Sequence, residues 1–184
     1  MFPILSMFDI LSVSFSFPQV PPFEGMHVLV VHFPIALWLT APVFVLVATV
    51  LPVRGRWCSF AALALMILAT VGAFAAVSTG EAARDGIEEG KDEMFAVLRQ
   101  HEQLADLLRI VFVIVTTLYA LFTLLPSVVR TWIAPSYLVP VQMVFLLVLL
   151  ASSLLVANTA HLGGRMVHEF GVRAVMTAPP EAEE

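Results

Sequence analysis

The residues best suited to chemistry in this chain are its five histidines, His27, His32, His101, His161 and His168. Imidazole titrates near neutral pH, and its ring nitrogens suit haem iron, zinc or copper. Two of the five, with Pro34, lie in HVLVVHFPIAL, residues 27–37, a stretch that is otherwise apolar. An ionisable side chain in a membrane-spanning run is costly without a partner, so it marks a candidate site. His32 is about 7.5 Å deeper along a helix than His27 and about 140° around it. The two cannot hold one ion from a regular helix, and the deeper His32 is expected to face the bundle interior. Pro34 has no amide hydrogen and frees the carbonyl of Val30.

Other chemistries are narrowed by what the sequence contains. Cys58 is the only cysteine. It allows no internal disulfide, no C-x-x-C-H attachment of a c-type haem and no iron–sulfur cluster. No spacing as telling as H-E-x-x-H occurs, and no nucleophile has a neighbouring base. The net charge is −5 with no basic cluster, which excludes nucleic acid as a partner. An electron-transfer or accessory subunit therefore fits better than a stand-alone enzyme.

The elements that must position these histidines follow from hydropathy. The chain is 60% hydrophobic and 12% charged, against about 45–50% and about 25% in a soluble domain. The apolar residues fall in runs of about 20, enough to cross a ~30 Å hydrocarbon layer. The fold expected is all-α, an integral membrane four-helix bundle in residues 26–175. Its spans are expected near 26–50, 57–78, 104–125 and 138–160. Residues 88–103 read as a short helix leading into the third span, and Pro126 as its end. Residues 1–25 read as an apolar interfacial segment, and 176–184 as a flexible acidic tail. Gly163 and Gly164 read as a helix cap and tight turn that folds Arg165 and His168 back over the bundle. No internal repeat is visible.

Arg54 and Arg56 between spans one and two, and Arg130 between spans three and four, lie in short loops without acids. Basic residues next to spans favour the cytoplasm. The expected location is the bacterial inner membrane, with both termini and the acidic 79–103 region in the periplasm. All five histidines then lie toward that outer face.

His32, His101 and His161 arrive from three different helices at similar depth, as the cofactor-binding and metal-ligating set. His27 and His168 are secondary candidates. Haem b suits them best, because two axial imidazoles suffice for it, whereas structural zinc wants four ligands. A porphyrin is also at home in a bilayer and between bundle helices. Span two is rich in small residues, among them Gly72, which could admit a flat macrocycle; the same spacing is also the ordinary means of close helix packing. Arg165 is a candidate for a haem propionate, through its bidentate fork. Asp106 and Arg109, spaced i, i+3, read as an ion pair.

HVLVVHFPIALWL, STGEAAR after the second span, the histidine before the third span, and HLGGRMVHEFGV after the fourth together resemble one bacterial group. It is the family of four-helix membrane proteins known as domain of unknown function 2231, and the resemblance covers about residues 26–175. Its members often open the first motif with His-Pro, where this sequence has His27-Val28. His32, His101 and His161 match the pattern. Such domains are loosely similar to four-helix b-type cytochromes, and some relatives are joined to c-type cytochrome domains. The resemblance thus implies electron transfer at the outer face, with other membrane subunits or a periplasmic c-type cytochrome as partners, within a respiratory or photosynthetic complex. The histidines gather on one side, which implies one haem, or two close together. The other reading is a cofactor-free accessory subunit packed against a larger membrane assembly.

Overall fold

The structure, a computed structural model, describes residues 20–87, 91–128 and 135–175. The expectations for residues 1–19, the tail 176–184 and Arg130 lie outside the described residues. A 3-10 turn, Phe23–Gly25, leads into α1 (His27–Val30) and α2 (His32–Val50). Three long helices follow: α3 (Arg56–Asp85), α4 (Asp92–Val128) and α5 (Pro135–His168). Among the described residues there is no strand. Four segments are long and apolar enough to cross a membrane: Phe23–Val50, Arg56–Asp85, Asp92–Pro126 and Ser136–His168. The chain is an all-α, multi-pass membrane protein in contact with lipid.

The helices outrun the expected spans. The lead-in helix and the third span are one rod, α4, which passes through Pro126 and ends at Val128. α3 continues through STGEAAR to Asp85. α5 runs through Gly163 and Gly164 to His168, so the paired glycines are not a cap. The left-handed residue that ends this arm is Gly171, at φ 71°. Gly163 stays helical because it is a packing position, described below. Between α1 and α2 the backbone remains helical, with Val31 at φ −59° and ψ −28°. The interruption falls where Pro34 cannot return a hydrogen bond to the Val30 carbonyl.

The bundle is a ring in which α2 packs on α3 and α5, and α4 packs on α3 and α5. The diagonal pairs α2/α4 and α3/α5 make no backbone approach among the described residues. Side chains fill the axis instead. Trp38 of α2 stacks on Phe112 of α4, centroids 3.6 Å apart and planes 6° from parallel. Trp38 Nε1 donates to Ser152 Oγ at 2.9 Å. Nearer the other end, Tyr119 donates to Gln142 Oε1 at 3.2 Å, and Gln142 Nε2 donates to Ser59 Oγ at 2.9 Å. These pairings meet the demand that polar groups in hydrocarbon be satisfied within the protein. The outward faces carry residues such as Val71, Leu118, Leu147 and Leu154, exposed as lipid contact requires. Trp57 and Tyr137 are exposed at the end away from the histidines, the position aromatic residues favour at a membrane interface.

Gly72 serves close packing. A Cβ there would lie 3.2 Å from Cδ and 3.4 Å from Cβ of Pro34. The missing side chain makes a notch on α3 into which the proline ring of α2 fits.

Candidate functional site

At the histidine end, two imidazoles are turned inward. His27 is half-buried, and its Nδ1 lies 2.9 Å from the carbonyl oxygen of Ala76 on α3. His101, on α4, is half-buried too, with Nδ1 2.9 Å from the carbonyl oxygen of Thr159 on α5. A carbonyl only accepts, so in both rings Nδ1 carries the hydrogen and donates it. The neutral ring then keeps its lone pair on Nε2. The hydroxyl of Thr79 lies 3.5 Å from His27 Nδ1 while donating to carbonyls of its own helix.

Each ring also rests on a glycine. A Cβ at Gly80 would lie 3.1 Å from Cε1 and Nδ1 of His27. A Cβ at Gly163 would lie 3.3 Å from Cε1 of His101. In both cases the glycine is four residues past the carbonyl that holds the ring. Carbonyl and glycine are thus one turn apart on one helix face.

The end of the bundle is tied together around these rings. Arg84 of α3 pairs with Glu102 of α4 at 3.3 Å, beside His101 in the chain. Beyond α5, Val172 N–H bonds to the Met166 carbonyl at 3.0 Å, and Gly171 turns the chain. Residue 175 then meets the first span, because a Cβ at Gly25 would overlap the Val175 carbonyl oxygen.

The other expected site residues lie elsewhere. His32 is exposed on the outer surface of α2, and His161 and His168 are exposed on α5. The structure does not bring His32, His101 and His161 together. Among the described residues, no three His, Cys, Asp or Glu side chains gather at a metal-binding distance. Arg165 is engaged by Glu169, Nη2 to Oε2 at 2.7 Å and Nε to Oε2 at 2.8 Å. That ion pair holds the Glu169 carboxyl below its ordinary pKa, first through the hydrogen bond. Asp106 and Arg109 pair at 2.9 Å, as their spacing implies.

The feature that separates His27 from His32 is the burial pattern of the folded bundle. Pro34, Ala41 and Ala48 are buried at seven-residue intervals, and His27 is one interval earlier on the same stripe. His32 is off it. His101 likewise precedes the buried Leu108 and Val115 by seven and fourteen residues. A seven-residue period keeps one face toward the partners in a bundle. Depth along the helix, which favours His32, carries no information about facing. Gly80 and Gly163 are the residues that the sequence reading missed.

The fold and this end of the bundle define a class: a four-span membrane bundle with two carbonyl-anchored imidazoles at one end. The chain matches the family described as "Predicted membrane protein (DUF2231)" over residues 24–176 and belongs to that family. No curated protein matches it. No solved structure matches it either.

Proposed function

We propose that this protein is a b-type haem-binding electron-transfer subunit of a bacterial cytoplasmic membrane, with His27 and His101 as the residues that would hold the haem iron. One observation carries the reading: both half-buried imidazoles are anchored through Nδ1 and leave Nε2 as the lone-pair nitrogen. Iron-ligating histidines are held this way, because the second-shell bond fixes the tautomer and raises the basicity of the ligating nitrogen. The donor set fits haem b: two imidazoles from diagonal helices, no thiolate needed and no third ligand required. When bound, haem supplies a one-electron Fe(III)/Fe(II) couple.

The protein's own residues would do the rest. The carbonyls of Ala76 and Thr159 orient the rings, and Gly80 and Gly163 let them lie flat against α3 and α5. The Trp38–Phe112 stack, eleven residues further along both α2 and α4, closes the axis about 16 Å away. Electrons would therefore enter and leave at the histidine end. The Arg54–Arg56 loop at the opposite end favours the cytoplasm. The haem would then lie near the periplasmic face, where other membrane subunits or a c-type cytochrome would exchange electrons with it.

The same two hydrogen bonds also clamp α1 to α3 and α4 to α5, which favours the second reading, a cofactor-free accessory subunit. An absorption spectrum of the purified, dithionite-reduced protein, with a pyridine haemochrome assay, separates the two. The electron-transfer reading expects a b-type spectrum that His27→Ala or His101→Ala abolishes. A wild-type protein purified from haem-replete cells with no haemochrome would overturn it.

A further inference from the structure

We infer that the bundle is two copies of one helical hairpin related by a pseudo-two-fold axis along its length, and that Gly80 and Gly163 are equivalent positioning residues that seat the two imidazoles about that axis. The first copy is the hairpin of α1–α2 with α3, and the second that of α4 with α5. Both run in the same sense, so the repeat is parallel.

The correspondence is recovered from the site outward. His27 maps to His101, an offset of 74 residues, and Gly80 maps to Gly163, an offset of 83. The second offset also carries Ala76, whose carbonyl holds His27, onto Thr159, whose carbonyl holds His101. The burial pattern follows the same offsets. The buried Pro34, Trp38, Ala41, Pro42 and Val45 have buried counterparts 74 residues on, while those of the buried Ala48 and Thr49, Phe122 and Thr123, are half-buried. The buried Ser59, Leu63, Met66, Ala69, Ala76 and Thr79 have buried counterparts 83 residues on, while that of the buried Ala62, Phe145, is half-buried.

The decisive contacts join residues to their own counterparts. Under a two-fold operation, a residue touches its equivalent only on the axis. Trp38 maps to Phe112, and these two rings stack on each other at 3.6 Å. Ser59 maps to Gln142, and these two are hydrogen-bonded at 2.9 Å. The two contacts lie at two heights and mark two points on the axis. His27 and His101 also map onto each other, each held through Nδ1 by the corresponding carbonyl. Between the copies, over residues 27–50 and 56–85, only His27/His101, Thr49/Thr123, Leu63/Leu146 and Gly80/Gly163 are identical. Two of these four pairs belong to the imidazole seats.

The seats are tested in the full chain in detergent micelles, without added porphyrin, by side-chain 15N shifts of the histidines. Gly80→Ala places a methyl 3.1 Å from the His27 ring, and Gly163→Ala places one 3.3 Å from the His101 ring. Each alanine is expected to shift the resonances of its own histidine most, by comparable amounts, with helix content unchanged. An alanine silent at its own histidine would overturn the equivalence.

A second variant tests the axis away from the seats. Trp38 bonds to Ser152, and the counterpart of Ser152 in the first copy is Ala69. Exchanging W38F with F112W removes that bond and should lower the unfolding midpoint in SDS. Adding A69S and S152A rebuilds the bond on the other copy and should restore the midpoint. A four-fold variant no more stable than the two-fold one would overturn the repeat. Neither readout involves haem, so the inference stands or falls apart from the proposed cofactor.

Discussion

Replacing His101 by leucine and by asparagine separates its work as a clamp from its work as a ligand. Leucine removes the hydrogen bond from Nδ1 to the Thr159 carbonyl, 2.9 Å long. Interhelical hydrogen bonds in membranes contribute about 0.6 kcal/mol on average and at most about 1.7. The loss should fall in the lower part of that range. Thr159 lies inside α5, so its carbonyl also accepts a helical amide hydrogen from four residues on. Deleting the imidazole therefore leaves no orphaned acceptor, the situation that makes a lost bond expensive. Leucine also refills much of the ring volume against Gly163. His101→Leu is thus expected to destabilise by about 0.6 kcal/mol, and by no more than the upper figure. Asparagine places a donating nitrogen where imidazole Nδ1 was, but has nothing where Nε2 was. Compared with haem-free wild type, His101→Asn should keep its stability, and it should still lack the haem spectrum. Equilibrium unfolding by SDS in mixed micelles, followed by far-UV circular dichroism, measures the first quantity, and the reduced-minus-oxidised spectrum measures the second. Equal destabilisation by both substitutions, or a b-type spectrum surviving in His101→Asn, would refute the reasoning.

His32→Ala and His161→Ala should leave spectrum and stability unchanged, since both side chains are exposed on the bundle. Loss of the haemochrome in either would move the ligand assignment to the exposed histidine. Gly72→Leu drives a side chain into the Pro34 ring, which already lies 3.2 Å from the position of a Cβ. It should destabilise by about 1–3 kcal/mol as an overpacked contact, read in the same SDS titration. The Arg165–Glu169 pair should strengthen the turn after α5 in a pH-dependent way. Its carboxyl has a lowered pKa when folded. The contribution is therefore present above the ordinary glutamate range and is lost as pH falls through the folded value. Amide protection factors at Glu169 and Val172 should fall on acidification, and Glu169→Gln should remove that fall.

Much of the architecture was legible because a membrane forces it. Runs of about 20 apolar residues have few alternatives to spanning helices, and the four spans fall where hydropathy puts them. Their ends were less legible. Residues 79–85 and 92–103 are polar, so hydropathy ends the spans there, yet α3 and α4 continue as helices beyond the apolar layer. Gly163 looked like a terminator because glycine is common there; in α5 it is the seat of a ring instead. The site was half legible. The clustering of histidines at one end follows from sequence, whereas depth along a helix does not tell which ring turns inward; the burial stripe of the folded bundle does. Gly72 offered two readings, and its contact with Pro34 is the packing one. The repeat was hidden because packing conserves size and position rather than identity: Trp faces Phe, and Ser faces Gln.

The most direct test of the central claim is the reduced-minus-oxidised spectrum, with pyridine haemochrome quantification, of the wild-type protein beside His27→Ala and His32→Ala, all purified from haem-replete cells. The account predicts a b-type spectrum in wild type and His32→Ala, and none in His27→Ala. A haem-free wild type, or a spectrum that survives in His27→Ala and vanishes in His32→Ala, would contradict it.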